Sequence, residues 1–446
     1  MKELLAKYDV PVPRYTSYPT VPAWDQNLET AQWLEHIRHS LENENASWSM
    51  YFHVPFCESL CTFCGCNNII TKNHKLEDPY VEHLLKEWSL YLEAVPDLGR
   101  RRLRHLHLGG GTPTFLSESN LDKLFSQMFK NIIRDDNWEA SIEVDPRRTT
   151  KEQLAVLKKF GFNRISLGVQ DFDPEVQRLV NRHQPFEITK GISDAARGLG
   201  FDSVNFDLIY GLAKQTPESM QKTAEQTIAL KPDRIALYSF ALVPWIKPAQ
   251  RLFKDEDLPK SEEKRRLYEI AREAFLAAGY IEIGMDHFAL PTDGLAKAMR
   301  EGGLHRNFMG YTDQRTELLL ALGVSGISET PESFHQNEKV LPKYEQLLDS
   351  GKVPTLKGHV HTETDRRRRA QILKFVTEFE VELEEGQIAD VDQFLAEMVK
   401  DGLAVRDGRT LKITEEGKPF LRNACAFFDE RLREMKPQSQ IFSKSI

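Results

Sequence analysis

The stretch Tyr51-Phe-His-Val-Pro-Phe-Cys-Glu-Ser-Leu-Cys-Thr-Phe-Cys-Gly-Cys66 carries an apolar, β-like segment straight into a group of thiols. Four of the chain's five cysteines, Cys57, Cys61, Cys64 and Cys66, fall within ten positions here, spaced C-x3-C-x2-C and then C-x-C. Three thiolates are too few to close a structural tetrahedral zinc site, so a zinc reading must recruit Cys66 or His53. An iron–sulfur cluster can take three protein thiolates and keep one iron open for a bound molecule. The spacing favours the cluster and leaves zinc as the alternative. Cys66 and His53, beside the other thiols, are the candidate catalytic side chains.

Working outward, 446 residues and 51.4 kDa allow a full α/β barrel with smaller domains attached. A hydrophobic share of 40% with 28% charged residues is that of an ordinary globular protein. No apolar run reaches the roughly 18 residues that would read as a membrane span. The first residues, Met-Lys-Glu-Leu-Leu-Ala-Lys, lack the apolar core of a secretion signal, so a cytoplasmic protein is expected. Thiols in that reducing compartment bind metals or do chemistry rather than form disulfides. A net charge of −8 and a pI near 6.0 argue against nucleic acid as the main partner.

Residues 1–45 read as an N-terminal arm in which Pro11, Pro13 and Pro19 forbid a helix, with Arg14, Tyr15 and Tyr18 among them. From there to about residue 290, apolar or β-branched runs at 50–54, 103–108, 141–144, 164–169, 203–209, 234–240 and 280–285 predict strands separated by helices. Phe160-Gly161-Phe162, Leu199-Gly200-Phe201 and Ala278-Gly279-Tyr280 repeat one join: glycine ends a helix in the left-handed conformation and an aromatic opens the next strand. That rhythm predicts a parallel sheet in a partial or complete β/α barrel over 46–290, with its chemistry at the strand ends. Residues 291–446 read as a mostly helical C-terminal domain over the active site. It contains a winged-helix-like part whose hairpin turns at Asp407-Gly408.

The strand-end loops supply further candidates. Gly109-Gly-Gly-Thr-Pro113 permits close backbone approach and offers amides to a ligand. Alternation places Glu143 opposite Ile142 and Val144, an inward carboxylate that suits an ammonium group. Asp207, in Asn-Phe-Asp-Leu-Ile-Tyr-Gly, can accept bonds from ribose hydroxyls. Arg182 is either a carboxylate ligand or a solvated helix charge. Cys425 reads as a buried thiol.

The motif Cys57-x3-Cys61-x-Phe63-Cys64 after a first strand resembles the radical S-adenosylmethionine superfamily. That resemblance implies a [4Fe–4S] cluster on Cys57, Cys61 and Cys64, S-adenosylmethionine on its fourth iron, and an electron donor. Pro13-Arg-Tyr-Thr-Ser-Tyr-Pro19, Gly168-Val-Gln-Asp-Phe172, Gly284-Met-Asp-His-Phe288, Leu304-His-Arg-Asn-Phe308 and Phe427–Arg433 resemble the oxygen-independent coproporphyrinogen III oxidases within it. This closer resemblance implies two cofactor positions around Tyr51, Phe63, Gly110, Gly111, Thr112, Glu143, Gln170, Arg182, Asp207, Ala241 and Ile327. It also implies decarboxylation of coproporphyrinogen III, in a monomer, with Arg14, His305 and Arg306 as candidate partners of the substrate carboxylates. In Ala241-Leu-Val-Pro-Trp-Ile-Lys-Pro248 the chain lacks the His-Leu-Pro usual in that family, which puts one loop contact in doubt. A haem chaperone of the same superfamily is the alternative, against which Cys66 and the N-terminal arm both count. A winged-helix regulator would need Arg366-Arg-Arg-Arg369 as a free basic face.

Overall fold

A computed structural model describes residues 2–25, 27–435 and 441–445. Its centre is one twelve-stranded sheet. Six parallel strands come first: β1 (Ser47–Val54), β2 (Arg102–Gly110), β3 (Ile133–Val144), β4 (Arg164–Gln170), β5 (Ser203–Tyr210) and β6 (Arg234–Ser239). They alternate with α1 (Glu77–Ala94), α2 (Glu118–Met128), α3 (Lys151–Lys159), α4 (Phe186–Gly198), α5 (Pro217–Leu230) and α6 (Ser261–Ala277). One face of each strand supplies the core under these helices: Trp48, Met50, Phe52, Leu108, Ile142, Leu167 and Phe206 are fully buried. The other face is polar and concave. Gly161, Gly200 and Gly279 hold φ of +84°, +83° and +90°, the helix-ending conformation their sequence setting predicts.

One expectation is corrected and one extended at the sheet edges. The seventh strand, expected over 280–285, is two short antiparallel pieces, β7 (Ile281–Glu282) and β8 (His287–Ala289), the latter pairing with β6. The chain bends over 284–286, where Gly284 packs so tightly on the Tyr311 ring that no Cβ would fit. The segment 291–446 carries its expected helices, such as Leu341–Asp349 and Glu363–Glu378, and also gives strands to the central sheet: β9 (Leu318–Leu322), β10 (Ile327–Glu329), β11 (Ser333–Asn337) and β12 (Thr355–Val360). The Leu318–Leu322 strand is buried on both faces and pairs in parallel with β1, so its apolar run lacks the alternation that announces a strand. The order β12-β11-β10-β9-β1-β2-β3-β4-β5-β6-β8-β7 ends in two separate edges, so the barrel is partial.

Beyond the sheet, a long helix (Glu363–Glu378) and a three-stranded sheet form a second core. Leu5, Tyr8, Tyr15 and Tyr18 of the N-terminal segment are buried in it beside Phe375, Phe420 and Phe428. The expected hairpin is present as Ala404–Asp407 and Thr410–Ile413. Arg366, Arg367, Arg368 and Arg369 each pair with a carboxylate (Glu363, Glu384, Glu430 and Glu329), which leaves no free basic face for duplex DNA. No helix of the described residues is long and apolar enough to cross a membrane.

Candidate active site

The cysteine loop leaves β1 at Val54 and is fastened to the end of β2. Gly111 N–H donates to Val54 O (2.7 Å) and Thr112 N–H to Phe56 O (2.9 Å). These bonds need glycine, because a Cβ on Gly111 would lie 2.6 Å from Pro55 O. The Gly110 amide goes to Glu143 Oε2 at 3.3 Å. The amides expected to face a ligand are therefore spent inside the protein, and the glycines serve close packing of two backbones. His53 has both ring nitrogens engaged, Nε2 with Asn67 O (2.8 Å) and Nδ1 with Tyr51 Oη (3.2 Å). Burial holds its pKa down, so the ring is a neutral brace under the loop.

Each of three sulfurs has a donor nearby. Thr112 Oγ1 lies 3.4 Å from Cys57 Sγ, and the Cys66 amide and Asn68 Nδ2 each lie 3.4 Å from Cys64 Sγ. Cys61 Sγ receives N–H groups of Arg182 (3.5 Å) and Arg147 (3.7 Å). Asp145 holds both guanidiniums, at 3.3 Å from Arg182 and 2.6 Å from Arg147. Burial alone would raise the Asp145 pKa, but the two arginines hold it below its ordinary value. The Cys66 thiol and amide draw Cys64 toward the thiolate, while burial pushes Cys57 up to about 11. This donor set suits a sulfur-rich cluster, whose potential is tuned by hydrogen bonds to sulfur.

The thiols open onto a cavity of about 320 Å³ against the polar face of the sheet. His107 bridges Ser141 (2.7 Å) and Glu143 (3.1 Å); Ser166 donates to Asp207 (2.7 Å), and Asn205 donates to both Ser166 (2.7 Å) and Asp207 (3.0 Å). Burial would raise Glu143, yet His107 and the Gly110 amide keep it ionised below its ordinary range. Among the described residues Asp207 has no cationic group within 4.0 Å, and burial lifts it to about 6.

The cavity is lined by Cys57, Cys61, Phe63, Cys64, Cys66, Gly110, Gly111, Thr112, Glu143, Gln170, Arg182 and Asp207. Tyr51 sits beneath it, stacked on His107 with ring centroids 5.8 Å apart. Ala241 lies outside the lining; Gln250 donates both to Ala241 O and to Phe63 O at 3.2 Å. In that unusual loop Lys247 reaches Cys66 O at 2.8 Å, so a polar contact to the cysteine segment exists by another route. Ile327 also lies outside, on β10. Arg14 and Arg306 line a different, smaller cavity, and His305 lines neither. Burial, with Arg369 and Arg315 nearby, pushes His305 down to about 4. Asp145, Arg147, His107 and Asn205 are additions. The same alternation that points Glu143 inward would have pointed to Asp145, and nothing local marks Arg147.

The family model of the radical SAM superfamily matches residues 51–227. Two curated proteins named oxygen-independent coproporphyrinogen III oxidase align along almost their whole length. The one from Salmonella typhimurium is 40% identical over 99% of this chain and 98% of its own. The one from Pseudomonas aeruginosa is 39% identical over 98% and 97%. The solved coproporphyrinogen III oxidase of Escherichia coli, described as a radical SAM enzyme, superposes with a TM-score of 0.89 at 39% identity, covering 96% of this chain and 98% of that one. Likeness of this extent includes the arm, the sheet and the second core along with the cysteine loop, so the chain belongs to the oxygen-independent coproporphyrinogen III oxidases of the radical SAM superfamily.

Proposed function

We propose that this protein converts two propionates of coproporphyrinogen III to vinyl groups, giving protoporphyrinogen IX without oxygen. The observation that carries the reading is the three-cysteine loop with a donor on every sulfur, in a chain related over its whole length to enzymes of that name. Each propionate would lose one β-hydrogen atom, carbon dioxide and one electron. Cys57, Cys61 and Cys64 would hold a [4Fe–4S] cluster which, with S-adenosylmethionine, supplies a 5′-deoxyadenosyl radical for hydrogen abstraction. The remaining side chains bind and orient. Ionised Glu143 suits the ammonium of the cofactor, and Asp207 with Gln170 its ribose. Arg182 and Arg147 offset charge on Cys61 and keep the loop in place. Polar side chains already locked to one another need little reorganisation when a ligand arrives. The same reading gives a cytoplasmic monomer served by a reduced electron carrier.

The test is anaerobic reconstitution with iron, sulfide, reductant and S-adenosylmethionine. Coproporphyrinogen III should disappear as protoporphyrinogen IX, carbon dioxide and 5′-deoxyadenosine form. Tight haem binding with no turnover would overturn the reading in favour of a haem chaperone.

A further inference from the structure

A second opening, of about 50 Å³, adjoins the cysteine cavity and is lined by Arg14, Arg265, Arg306 and Arg422. The two share a wall. Tyr238 and His287 face the cysteine side, while the residues next to them in the chain, Ser239 and Asp286, face the arginine side. The arginines come from four separate segments: the arm, α6, the hairpin at 305–312 and the helix Leu421–Cys425. Among the described residues neither Arg14, Arg306 nor Arg422 has a carboxylate within 4.0 Å. Arg14 donates to Ser239 O (2.7 Å), and Arg422 donates to Pro13 O (2.9 Å) and Ser445 O (3.1 Å). Arg306 is 7% exposed, stacks on Tyr311 at 4.5 Å, and leaves Nε and Nη1 without a hydrogen-bond partner among the described residues.

A buried guanidinium with unused donors is costly unless something negative completes it. Among the described residues Asp286 is the one carboxylate lining the opening. Despite burial it is held well below its usual range, by His287 first and then by Arg306 and Arg14. Burial and the charge on Arg14 also push Arg422 down to about 9. Positive charge is in surplus. Size then limits what could neutralise it. A cavity needs roughly 10–15 Å³ per water-sized group, so this one takes a carboxylate and its last methylene but no ring.

We propose that the second cavity anchors a propionate that is not reacting, with Arg306 as its main partner and Arg14 closing over it from the arm. This rests on the reading above, and it adds that the substrate straddles the aromatic wall. One carboxylate is fixed by the arginines while another side chain lies over the cysteine cavity. The anchor is specific for a carboxylate on a short flexible arm, and it sets which propionate can reach the thiols.

The experiment measures anaerobic binding of coproporphyrin III, the unreactive oxidised form, to cluster-loaded enzyme by fluorescence. Arg306→Gln should bind about 10- to 100-fold more weakly than wild type, as expected for loss of a charged hydrogen bond. Arg306→Lys should recover part of that loss. The tetramethyl ester, which keeps the ring without the charge, should bind wild type and Arg306→Gln alike. Equal affinity of wild type and Arg306→Gln for coproporphyrin III, with intact cluster absorbance, would overturn the proposal. So would a variant that loses S-adenosylmethionine binding instead, since the carboxylate would then be the cofactor's. If wild type does not bind coproporphyrin III, the same comparison is made with coproporphyrinogen III kept reduced, and no binding of that either overturns the functional reading and the anchor with it.

Discussion

The two cavities stand on either side of one aromatic wall and are prepared in opposite ways. On the cysteine side nearly every polar group already has a partner: Glu143 has His107, Asp207 has Ser166, and Asp145 has two arginines. On the arginine side Arg265 is paired with Glu269, but among the described residues Arg14, Arg306 and Arg422 have no carboxylate within 4.0 Å, and Arg306 carries two idle nitrogens. A satisfied network fixes geometry, whereas an unsatisfied one stores affinity for whatever completes it. The contrast fits a division of labour in which one cavity positions reacting atoms and the other grips a handle.

Changes to the thiols should have the largest effect and leave the arginine cavity untouched. Cys61→Ser should abolish the cluster absorbance and all cofactor cleavage, yet keep affinity for coproporphyrin III. Cys66→Ser should retain the cluster, and its loss there would mean that the ligand set is mistaken. Next in size is Asp145→Asn, which leaves Arg147 and Arg182 without their carboxylate. Removing one member of a buried ion group costs about 3–5 kcal/mol, readable as a lowered urea midpoint at unchanged m-value. Unchanged stability would make the cysteine side less tightly prepared than its hydrogen bonds and ion pairs imply.

Asp207 gives a pH signature. Its native pKa of about 6 lies above its ordinary value of 3.8, so the native state holds this proton more tightly than the unfolded chain. Its contribution to stability is therefore greatest below the ordinary value and is lost as pH rises through about 6. Asp207→Asn should remove that slope. S-adenosylmethionine affinity should rise through the same pH range in wild type, because the ionised carboxylate is the better acceptor, and should be flat in the variant. The smallest effect is expected for Arg14→Gln, with KM raised about tenfold and kcat unchanged. A fall in kcat instead would place the arm in the chemistry rather than in the grip.

Much of the cysteine side was legible because its information is local. A thiol spacing, a glycine run and the inward phase of Glu143 are each contained in a few residues. A β/α barrel followed from the period of apolar runs and the glycine joins, whereas its openness is set by the two sheet edges. Strand direction was not local: β8 pairs antiparallel because the chain bends at Gly284, and β9 joins β1 across more than 250 residues. The arginine cavity was half legible. Arg14 and Arg306 lie in motifs that resemble the family, but Arg265 sits in Glu262-Glu-Lys-Arg-Arg266, which reads as a solvated helix face. Only assembly of four segments reveals the surplus charge. His305, adjacent to Arg306, looked equivalent in sequence, yet strand alternation turns it away from both cavities.

The guanidinium of Arg422 ties Val12 and Pro13 to Lys444 and Ser445, residues separated by more than 400 positions. A ribosome exposes residues 12–13 early, but their fastening waits until residue 445 has emerged from the exit tunnel. The fastening of the arm that carries Arg14 to residues 444 and 445 is therefore among the last contacts this chain can make.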